Sequence, residues 1–254
     1  MCLIVLGWQA DHEDTLVVAA NRDEFHARPT APLGFWPGHL DVLAGRDLQS
    51  GGTWMGVTRG GRFAALTNFR DPSSSQPGAR SRGLLVSAFL FGSADARRHA
   101  ERVSAQSRFH NGFNLLLCDG ERLVWVGHRN GHDAQVSELA PGTHAISNHL
   151  PGTPWPKLLR AQRGFTAGLD TLPATDALFS VLADSTPAAD ADLPDTGVGL
   201  DWERRLSPVF IRGDDYGTRS SALLRVSSRR ILFEERRFGP GGRAAGRTIA
   251  SFAR

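Results

Sequence analysis

The sequence predicts an α+β fold in which mainly antiparallel β-sheets pack between helical layers. Short apolar runs separated by turns predict hairpins at the start, in the middle and at the end of the chain. Segments with helical spacing lie between these groups of strands, around residues 84–106 and 154–168. Groups of strands that alternate with groups of helices favour this class over the strand–helix alternation of a parallel sheet.

Length and composition are those of one large globular domain. The chain has 254 residues, and we expect residues 1–254 to form a single domain. With 41% hydrophobic and 22% charged residues, the composition is ordinary for a globular protein. Every apolar run is shorter than the roughly 20 residues that span a bilayer, so no integral membrane segment is predicted.

The first residues and the two cysteines favour a cytoplasmic location. The segment MCLIVLGWQADHEDT lacks the basic leader, the long apolar region and the cleavage site of a secretory signal. Cys2 opens one apolar run and Cys118 closes another, which is not the spaced framework of a disulfide-stapled domain. We therefore expect a cytoplasmic protein with two free thiols.

Charge and motif content predict neither a nucleic-acid partner nor a metal site. The net charge is +3, and Lys157 is the only lysine, so nearly all basic residues are arginines. These arginines are spread through separate elements instead of lying together among aromatic residues, as nucleic-acid binding requires. The chain contains no CxxC, HExxH or CxxCH pattern, so no metal is predicted.

The chain begins with a predicted hairpin of buried strands. The runs at residues 2–8 and 15–20 are rich in Leu, Ile and Val and are separated by the polar turn ADHED. No strand is predicted in the Pro/Gly-rich stretch at residues 27–38. A second hairpin is predicted at residues 53–58 and 62–67, where RGG forms the turn.

Helices and further hairpins follow in the second half of the chain. Leu84, Leu85 and Phe89 fit one apolar helix face, and Ser93 is predicted to cap a solvated helix. A third helix is predicted from about residue 154 to 168, because Pro154 suits the first turn. The remaining predicted strands are at residues 113–118, 122–126, 143–147, 220–226, 231–238 and 247–253, and residues 184–200 are predicted to be a loop.

Cys2 is the strongest candidate for a chemical centre. A small second residue generally permits removal of the initiator methionine, which would leave the α-amino group of Cys2 beside its own thiol. An α-amine has a pKa of about 8 and a thiol one of about 8.5, so the amine can accept the thiol proton. The alternative is that Cys2 is a small buried apolar residue at the start of a strand.

A polar cluster follows the second predicted strand. Asn21, Arg22, Asp23 and Glu24 supply an amide, a guanidinium and two carboxylates at the end of the strand expected to pair with that of Cys2. Asp23 is suited to binding the α-amine, and Arg22 is suited to lowering the thiol pKa. The alternative is a solvated turn with an internal salt bridge.

These segments also carry a family resemblance. MCLIVL, LVVAANRDEFHARPT and GRDLQSGGTWMGVTRGGRFAALTNFR resemble the NRDE-domain family, also called the transport-and-Golgi-organisation family. The later segments NLLLCDG, AISNHLPGTPWPK and YGTRSSALLRV match the same family. The resemblance extends from residue 1 to about residue 227.

The resemblance implies the αββα sandwich of the N-terminal-nucleophile hydrolases and a set of site residues. The NRDE-domain family is similar in fold to the choloylglycine hydrolase and penicillin acylase group, whose nucleophile is an N-terminal cysteine. The matching catalytic positions are Cys2, Arg22, Asp23, Asn68, Asn148 and Arg219, and Asn21 and Glu24 are expected to bind substrate. One position departs from the pattern of that group. In the group an arginine stands directly before an Asn-x-Asp segment, whereas in this chain Ala20 stands before Asn21-Arg22-Asp23 and the arginine is Arg22.

The resemblance leaves two functions open. The first is an N-terminal-nucleophile-type cysteine hydrolase or acyltransferase that acts on a small amide, thioester or related acyl compound. The second is a non-catalytic haem- or lipid-handling protein with the same fold, because the family is associated with haem and lipid handling. The expected partner is a small acyl or lipid-like molecule, with haem as cargo in the second case, and no cofactor is expected. A purely structural interaction domain leaves the polar cluster unexplained.

Overall fold

Two antiparallel β-sheets stacked face to face form the centre of the fold in the computed structural model, which describes residues 2–9 and 13–254. The strands are β1 (Cys2–Trp8), β2 (Asp14–Phe25), β3 (Thr30–Trp36), β4 (His39–Asp47), β5 (Met55–Thr58), β6 (Phe63–Asn68), β7 (Phe113–Cys118), β8 (Leu123–His128), β9 (Gln135–Glu138), β10 (Gly142–Ile146), β11 (Tyr216–Ser227), β12 (Arg230–Phe238) and β13 (Ala244–Ala253). The first sheet has the order β10-β1-β2-β11-β12-β13, and the second runs from β3 to β9 in chain order.

Helices cover the outer face of each sheet. They are α1 (Gly83–Phe91), α2 (Ala96–Gln106), α3 (Pro156–Leu169), α4 (Asp176–Leu182) and α5 (Leu200–Leu206). Helices α1 and α2 pack on the second sheet, whereas α3 and α4 pack on the first. The layers therefore follow the order helix, sheet, sheet, helix.

Strand β1 shows why the apolar runs are continuous rather than alternating. Its even-numbered residues Ile4 and Leu6 pack against the second sheet in the central core. Its odd-numbered residues Leu3 and Val5 pack against α3 and α4 in a separate core. Because a strand between two covered faces buries both sets of side chains, period-two alternation of polar residues is absent from it.

The predicted first hairpin is confirmed, and its second strand is longer than predicted. Cys2 pairs with Arg22, and Trp8 pairs with Leu16. Of the predicted ADHED turn, residues 10–12 lie outside the described residues. The NRDE segment continues β2 instead of forming a solvated turn, because β11 pairs with β2 as far as Phe25 and satisfies its backbone groups.

The Pro/Gly-rich stretch after β2 contains a strand that the sequence analysis missed. β3 lies at the edge of the second sheet, and its pairing with β4 is interrupted between Ala31 and Gly34. Pro32 falls in that interruption, where its missing N–H donor costs no ladder hydrogen bond. An irregular edge strand of this kind has little apolar alternation by which to recognise it.

The predicted helices are present at the predicted positions, but the N-cap residue of α2 differs from the predicted one. Helix α2 is capped by Asp95, whose carboxylate accepts a hydrogen bond of 2.8 Å from the Arg98 N–H, and not by Ser93. The predicted third helix begins at Pro156. The short helices α4 and α5 were not predicted, since each has only seven residues.

None of the helices in residues 2–9 and 13–254 combines the length and apolar character needed to cross a bilayer.

Two adjacent leucines of α3 provide a test of the core against the first sheet. Leu158 is buried among the residues that pack on β1, whereas Leu159 is 42% exposed. Leu158→Ala is expected to lower the free energy of unfolding by about 2 to 4 kcal/mol, because it leaves a cavity. Leu159→Ala is the matched control and should change it by less than about 0.5 kcal/mol. Urea denaturation measures both, and equal losses would contradict the packing described here.

Candidate active site

A polar cavity of about 250 Å³ opens where β1 and β2 meet the second sheet. Its lining from the first sheet comprises Cys2, Arg22, Asp23 and Glu24. The second sheet and the segments beside it contribute, among others, Asp47, Trp54, Asn68, Arg80 and Arg82. Four of the predicted catalytic residues, Cys2, Arg22, Asp23 and Asn68, therefore share one cavity.

Cys2 begins β1, is partly exposed as a residue and lines this cavity. Burial raises the pKa of the Cys2 thiol, and the Asp23 carboxylate raises it further. The Arg22 guanidinium and the Asp23 backbone N–H, which donates to the sulfur, lower the same pKa. Since the net shift is upward, Cys2 is a thiol at neutral pH and requires a base to become a nucleophile.

Arg22 is held rigidly beside Cys2 on the neighbouring strand. Its guanidinium carbon lies 4.2 Å from the centre of the Trp54 ring. One guanidinium nitrogen also donates to Thr30 Oγ1 at 3.2 Å. The cation–π contact orients the side chain toward the space between the sheets, where it contributes a fixed positive charge to the cavity.

Asp23 is buried, and its carboxylate is bound from the helix side of the first sheet. Thr218 Oγ1 donates to Asp23 Oδ1 at 2.7 Å. Burial raises the pKa of the Asp23 carboxyl above its ordinary value, and Lys157, Thr218 and Arg70 offset this rise only in part. The charge state of Asp23 therefore depends on cations that approach it from behind the cavity.

Asn21 and Glu24, the two predicted substrate-binding residues, differ in placement. Asn21 does not line the cavity, since its amide donates to the carbonyl oxygens of Leu182 and Val209 at 2.8 and 2.9 Å. It thereby ties β2 to the helical layer. Glu24 does line the cavity, where one carboxylate oxygen lies 3.8 Å from Arg28 Nε.

Asn148 supports the site from behind, whereas Asn68 lines it. The fully buried Asn148 amide donates to the Asn68 backbone oxygen at 3.0 Å. Ser147 Oγ is 3.2 Å from Asn148 Oδ1 and donates to the Cys2 backbone oxygen at 3.0 Å. These bonds link the end of β6 in the second sheet to the start of β1 in the first.

Arg219 lies near the site but does not line the cavity. Its guanidinium donates to the backbone oxygens of Phe25 and Arg28, at 2.9 and 3.0 Å. Burial lowers the pKa of Arg219, and Arg22 lowers it further, so the two guanidinium groups lie within electrostatic range. In this structure Arg219 fixes the segment that follows β2.

Sequence reasoning missed a set of charged residues on the helix side of Asp23. They are Arg70, Lys157 and Glu203, from three separate parts of the chain, and all are buried. The sequence offered one indication of this set, which is that Lys157 is the only lysine of an arginine-rich chain. The cavity residues Trp54, Arg80 and Arg82 were also not identified as site residues.

Comparison with known proteins agrees with this architecture. A family model described as Transport and Golgi organisation 2 matches residues 1–240. A Bos taurus protein named Transport and Golgi organization protein 2 homolog is 36% identical over 240 residues, which cover 87% of this chain and 86% of the relative.

Two solved structures share the fold. An N-acylethanolamine-hydrolyzing acid amidase ortholog of Caenorhabditis elegans matches with a TM-score of 0.51 at 14% identity, over 88% of this chain and 92% of the amidase. A mutant conjugated bile acid hydrolase of Clostridium perfringens matches with a TM-score of 0.55 at 7% identity, over 100% of this chain and 92% of the hydrolase. The predicted N-terminal-nucleophile-hydrolase-like αββα fold is thus confirmed.

The two cysteines are expected to differ sharply in reactivity. Cys118 is 1% exposed, and burial raises the pKa of its thiol to about 12. Iodoacetamide at pH 8 should alkylate Cys2 at least about tenfold faster than Cys118 in the folded protein, as measured by peptide mass spectrometry. Cys118→Ala should leave the alkylated fraction unchanged, and Cys2→Ala should remove it. Equal alkylation of both cysteines before unfolding would contradict the assigned site.

Proposed function

Because the chain belongs to the Transport and Golgi organisation 2 family and has the fold of N-terminal-nucleophile amidases, we propose that it is a cysteine hydrolase or acyltransferase. Its substrate would be a small amide, thioester or related acyl compound, and Cys2 would be the nucleophile. The observation that carries the proposal is the cavity that Cys2 shares with Arg22, Asp23 and Asn68. The two structural neighbours are named for hydrolysis of N-acylethanolamines and of conjugated bile acids, which supports the acyl class.

The raised pKa of the Cys2 thiol identifies what the mechanism needs. A protonated thiol needs a base, and removal of Met1, which lies outside the described residues, supplies the α-amino group of Cys2. Cys2 pairs with Arg22 across β1 and β2, and the N–H of Asp23 donates to the Cys2 sulfur. Asp23 is therefore the carboxylate placed to bind the protonated amine and to orient it.

The proposed reaction proceeds through a thioester. The α-amine takes the thiol proton, and the sulfur forms a bond to the substrate carbonyl carbon as the carbonyl electron pair moves to oxygen. When that oxyanion collapses, the bond to the leaving amine or thiol breaks, and the leaving group takes the proton from the α-ammonium. Water then attacks the thioester, giving its proton to the α-amine, and release of the acid restores the Cys2 thiol.

Two cavity residues are suited to the charges that this reaction develops. The Asn68 side chain, at the end of β6, is the proposed amide donor to the oxyanion. The backbone of Asn68 is fixed by its bond from Asn148, which limits reorganisation during the reaction. Arg22 adds a positive charge that favours the anionic transition state and is held in place by Trp54.

The character of the cavity favours this function over the haem- or lipid-handling alternative. Sites for such ligands are mainly apolar, with few polar groups. This cavity is lined by four arginines and several carboxylates and amides, and by few apolar side chains.

As part of the same proposal we place the protein in the cytoplasm, where the free thiols of Cys2 and Cys118 persist.

The mature N-terminus gives a direct test of the mechanism. Intact-mass spectrometry of untagged protein is expected to show that the active species begins at Cys2. A panel of amide and thioester substrates should be turned over by that species, and Cys2→Ala should lower turnover by at least about a thousandfold. Cys118→Ala is the matched control and should retain full turnover. Active protein that retains Met1 would refute the α-amine as the base.

The carrier alternative makes the opposite prediction for the same variant. Under our proposal, haem binding is expected to be weak and non-saturating, because the polar lining supplies little apolar contact area. Spectral titration of wild type and Cys2→Ala with haem measures this directly. Saturable haem binding that survives Cys2→Ala, together with no turnover on the acyl panel, would favour the carrier function.

A further inference from the structure

The cavity that contains Cys2 has a surplus of guanidinium groups, of which the mechanism above uses only one. Four arginines and three carboxyl groups line the cavity, so it has a formal excess of one positive charge. The arginines are Arg22, Arg28, Arg80 and Arg82, and the carboxyl groups are those of Asp23, Glu24 and Asp47. An excess of one sign of charge in a cavity attracts a ligand of the opposite sign.

The carboxylates are distributed unevenly among these arginines. Arg28 Nη2 lies 2.7 Å from Asp47 Oδ2, and Arg28 Nε lies 3.8 Å from Glu24 Oε2, so the charge of Arg28 is balanced within the protein. The other three arginines take part in none of the ion pairs formed by residues 2–9 and 13–254. Their positive charges are therefore free to interact with a bound anion.

Two of these three arginines, Arg80 and Arg82, lie in the short segment that leads into α1. Arg80 is exposed, and its guanidinium carbon lies 4.8 Å from the centre of the Phe109 ring. Arg82 is partly buried, and its Nη1 donates to the Gly112 backbone oxygen at 3.0 Å. An aromatic ring and a carbonyl group thus orient the two side chains without cancelling their charges.

The backbone of the same segment is fixed at both ends. The Arg80 N–H donates to the Phe109 oxygen at 2.9 Å, and His110 Nδ1 lies 3.1 Å from the Arg80 oxygen. The Thr53 N–H donates to the Gly83 oxygen at 3.2 Å, which ties the start of α1 to the segment before β5. Because the folded protein already orders this segment, a ligand pays little to organise it.

The size of the cavity places any ligand beside both the arginines and the nucleophile. Its volume of about 250 Å³ lies below the range of roughly 300 to 1,000 Å³ that is usual for ligand sites. Burial lowers the pKa of the Arg82 guanidinium, whereas Cys2 and Glu24 raise it, so these groups are within electrostatic range of one another. A small molecule that reaches Cys2 therefore also experiences the charge of Arg82.

We propose that Arg80 and Arg82 bind a carboxylate group of the substrate, so that the acyl compound processed at Cys2 is a small anionic amide. The proposal deepens the proposed function and rests on it. Guanidinium groups suit this role because they present paired N–H donors to an oxyanion. A carboxylate is favoured over a phosphate because its single negative charge balances the single excess positive charge of the cavity.

The first experiment compares two alkylating reagents that differ in charge. Iodoacetate carries a carboxylate, and iodoacetamide is its neutral counterpart of nearly equal size. Both attack the same thiolate, so the ratio of their rate constants at Cys2 does not depend on the pKa of that thiol. In Arg80→Gln and in Arg82→Gln, the ratio of iodoacetate to iodoacetamide is expected to fall by about threefold or more, because an attractive charge is lost. Peptide mass spectrometry measures both rates at one pH.

Arg59 provides the matched control for this experiment. It is exposed, its guanidinium carbon lies 4.2 Å from the Phe35 ring centre, and it does not line the cavity. Arg59→Gln should keep the wild-type ratio, and Arg82→Lys, which retains the charge, should keep most of it. Thermal unfolding identifies the variants that are folded. An unchanged ratio in folded Arg80→Gln and Arg82→Gln proteins would overturn the anion site.

The second experiment identifies the anion and requires no substitution. Butyrate, inorganic phosphate and neutral butyramide are compared at constant ionic strength for their ability to protect Cys2 from iodoacetamide. Butyrate is expected to slow alkylation about threefold more than butyramide at equal concentration, and more than phosphate does. Equal effects of butyrate and butyramide would overturn the anion site. Stronger protection by phosphate would overturn the carboxylate assignment in favour of a phosphate-bearing substrate.

Turnover separates this proposal from the proposed function. N-butyrylglycine and N-butyrylglycinamide differ only in that a carboxamide replaces the carboxylate. Preference of the wild type for N-butyrylglycine, reduced in Arg80→Gln, would support both proposals. A charge-dependent alkylation ratio in a protein that turns over none of the acyl compounds would support the anion site and contradict the hydrolase. Turnover of both amides with a charge-independent ratio would support the hydrolase and overturn the anion site.

Discussion

The site depends on the burial of both faces of β2, which lies between β1 and β11 at the centre of the first sheet. Both faces of the strand are buried as far as Asp23, so Asn21, Arg22 and Asp23 must find partners inside the protein, whereas Glu24 is partly exposed. Alternation sends Arg22 toward the second sheet, and sends Asn21 and Asp23 toward the helical layer. One strand thus directs a guanidinium between the sheets and a carboxylate toward Thr218, and both residues line the same cavity.

The outcome of the sequence analysis follows from the same alternation. The apolar runs predicted β1 and β2, and the motif predicted that all four NRDE residues lie in one site, with separate roles. Adjacent residues of a strand cannot face the same side, so Asn21 binds the carbonyl oxygens of Leu182 and Val209 while Arg22 faces Trp54. The partners that decide each role are distant in sequence and could not be read from the motif.

Other parts of the site are set by tertiary contacts alone. Lys157 lies in an amphipathic helix, where the sequence pattern gives no reason to expect a charged residue in the core. Its burial follows from the packing of α3 on β1 and from the Leu206 carbonyl that accepts its hydrogen bond. Strand β3 was missed for a different reason. A proline within a short run argues against a strand, and Pro32 is tolerated here because the pairing with β4 is interrupted at that point.

The junction of the two sheets finally determines whether these groups can act together. Ser147 and Asn148 follow β10 of the first sheet, and they bond to the backbone of Cys2 and of Asn68, which ends β6 in the second. Thr67 adds a hydrogen bond from β6 to the Ser147 backbone oxygen. Because these bonds are buried or partly buried, a shift of one sheet against the other would leave several polar groups without their partners. The backbones of Cys2 and Asn68, which carry the proposed nucleophile and the proposed oxyanion donor, are therefore held together across the two sheets by side-chain to main-chain hydrogen bonds.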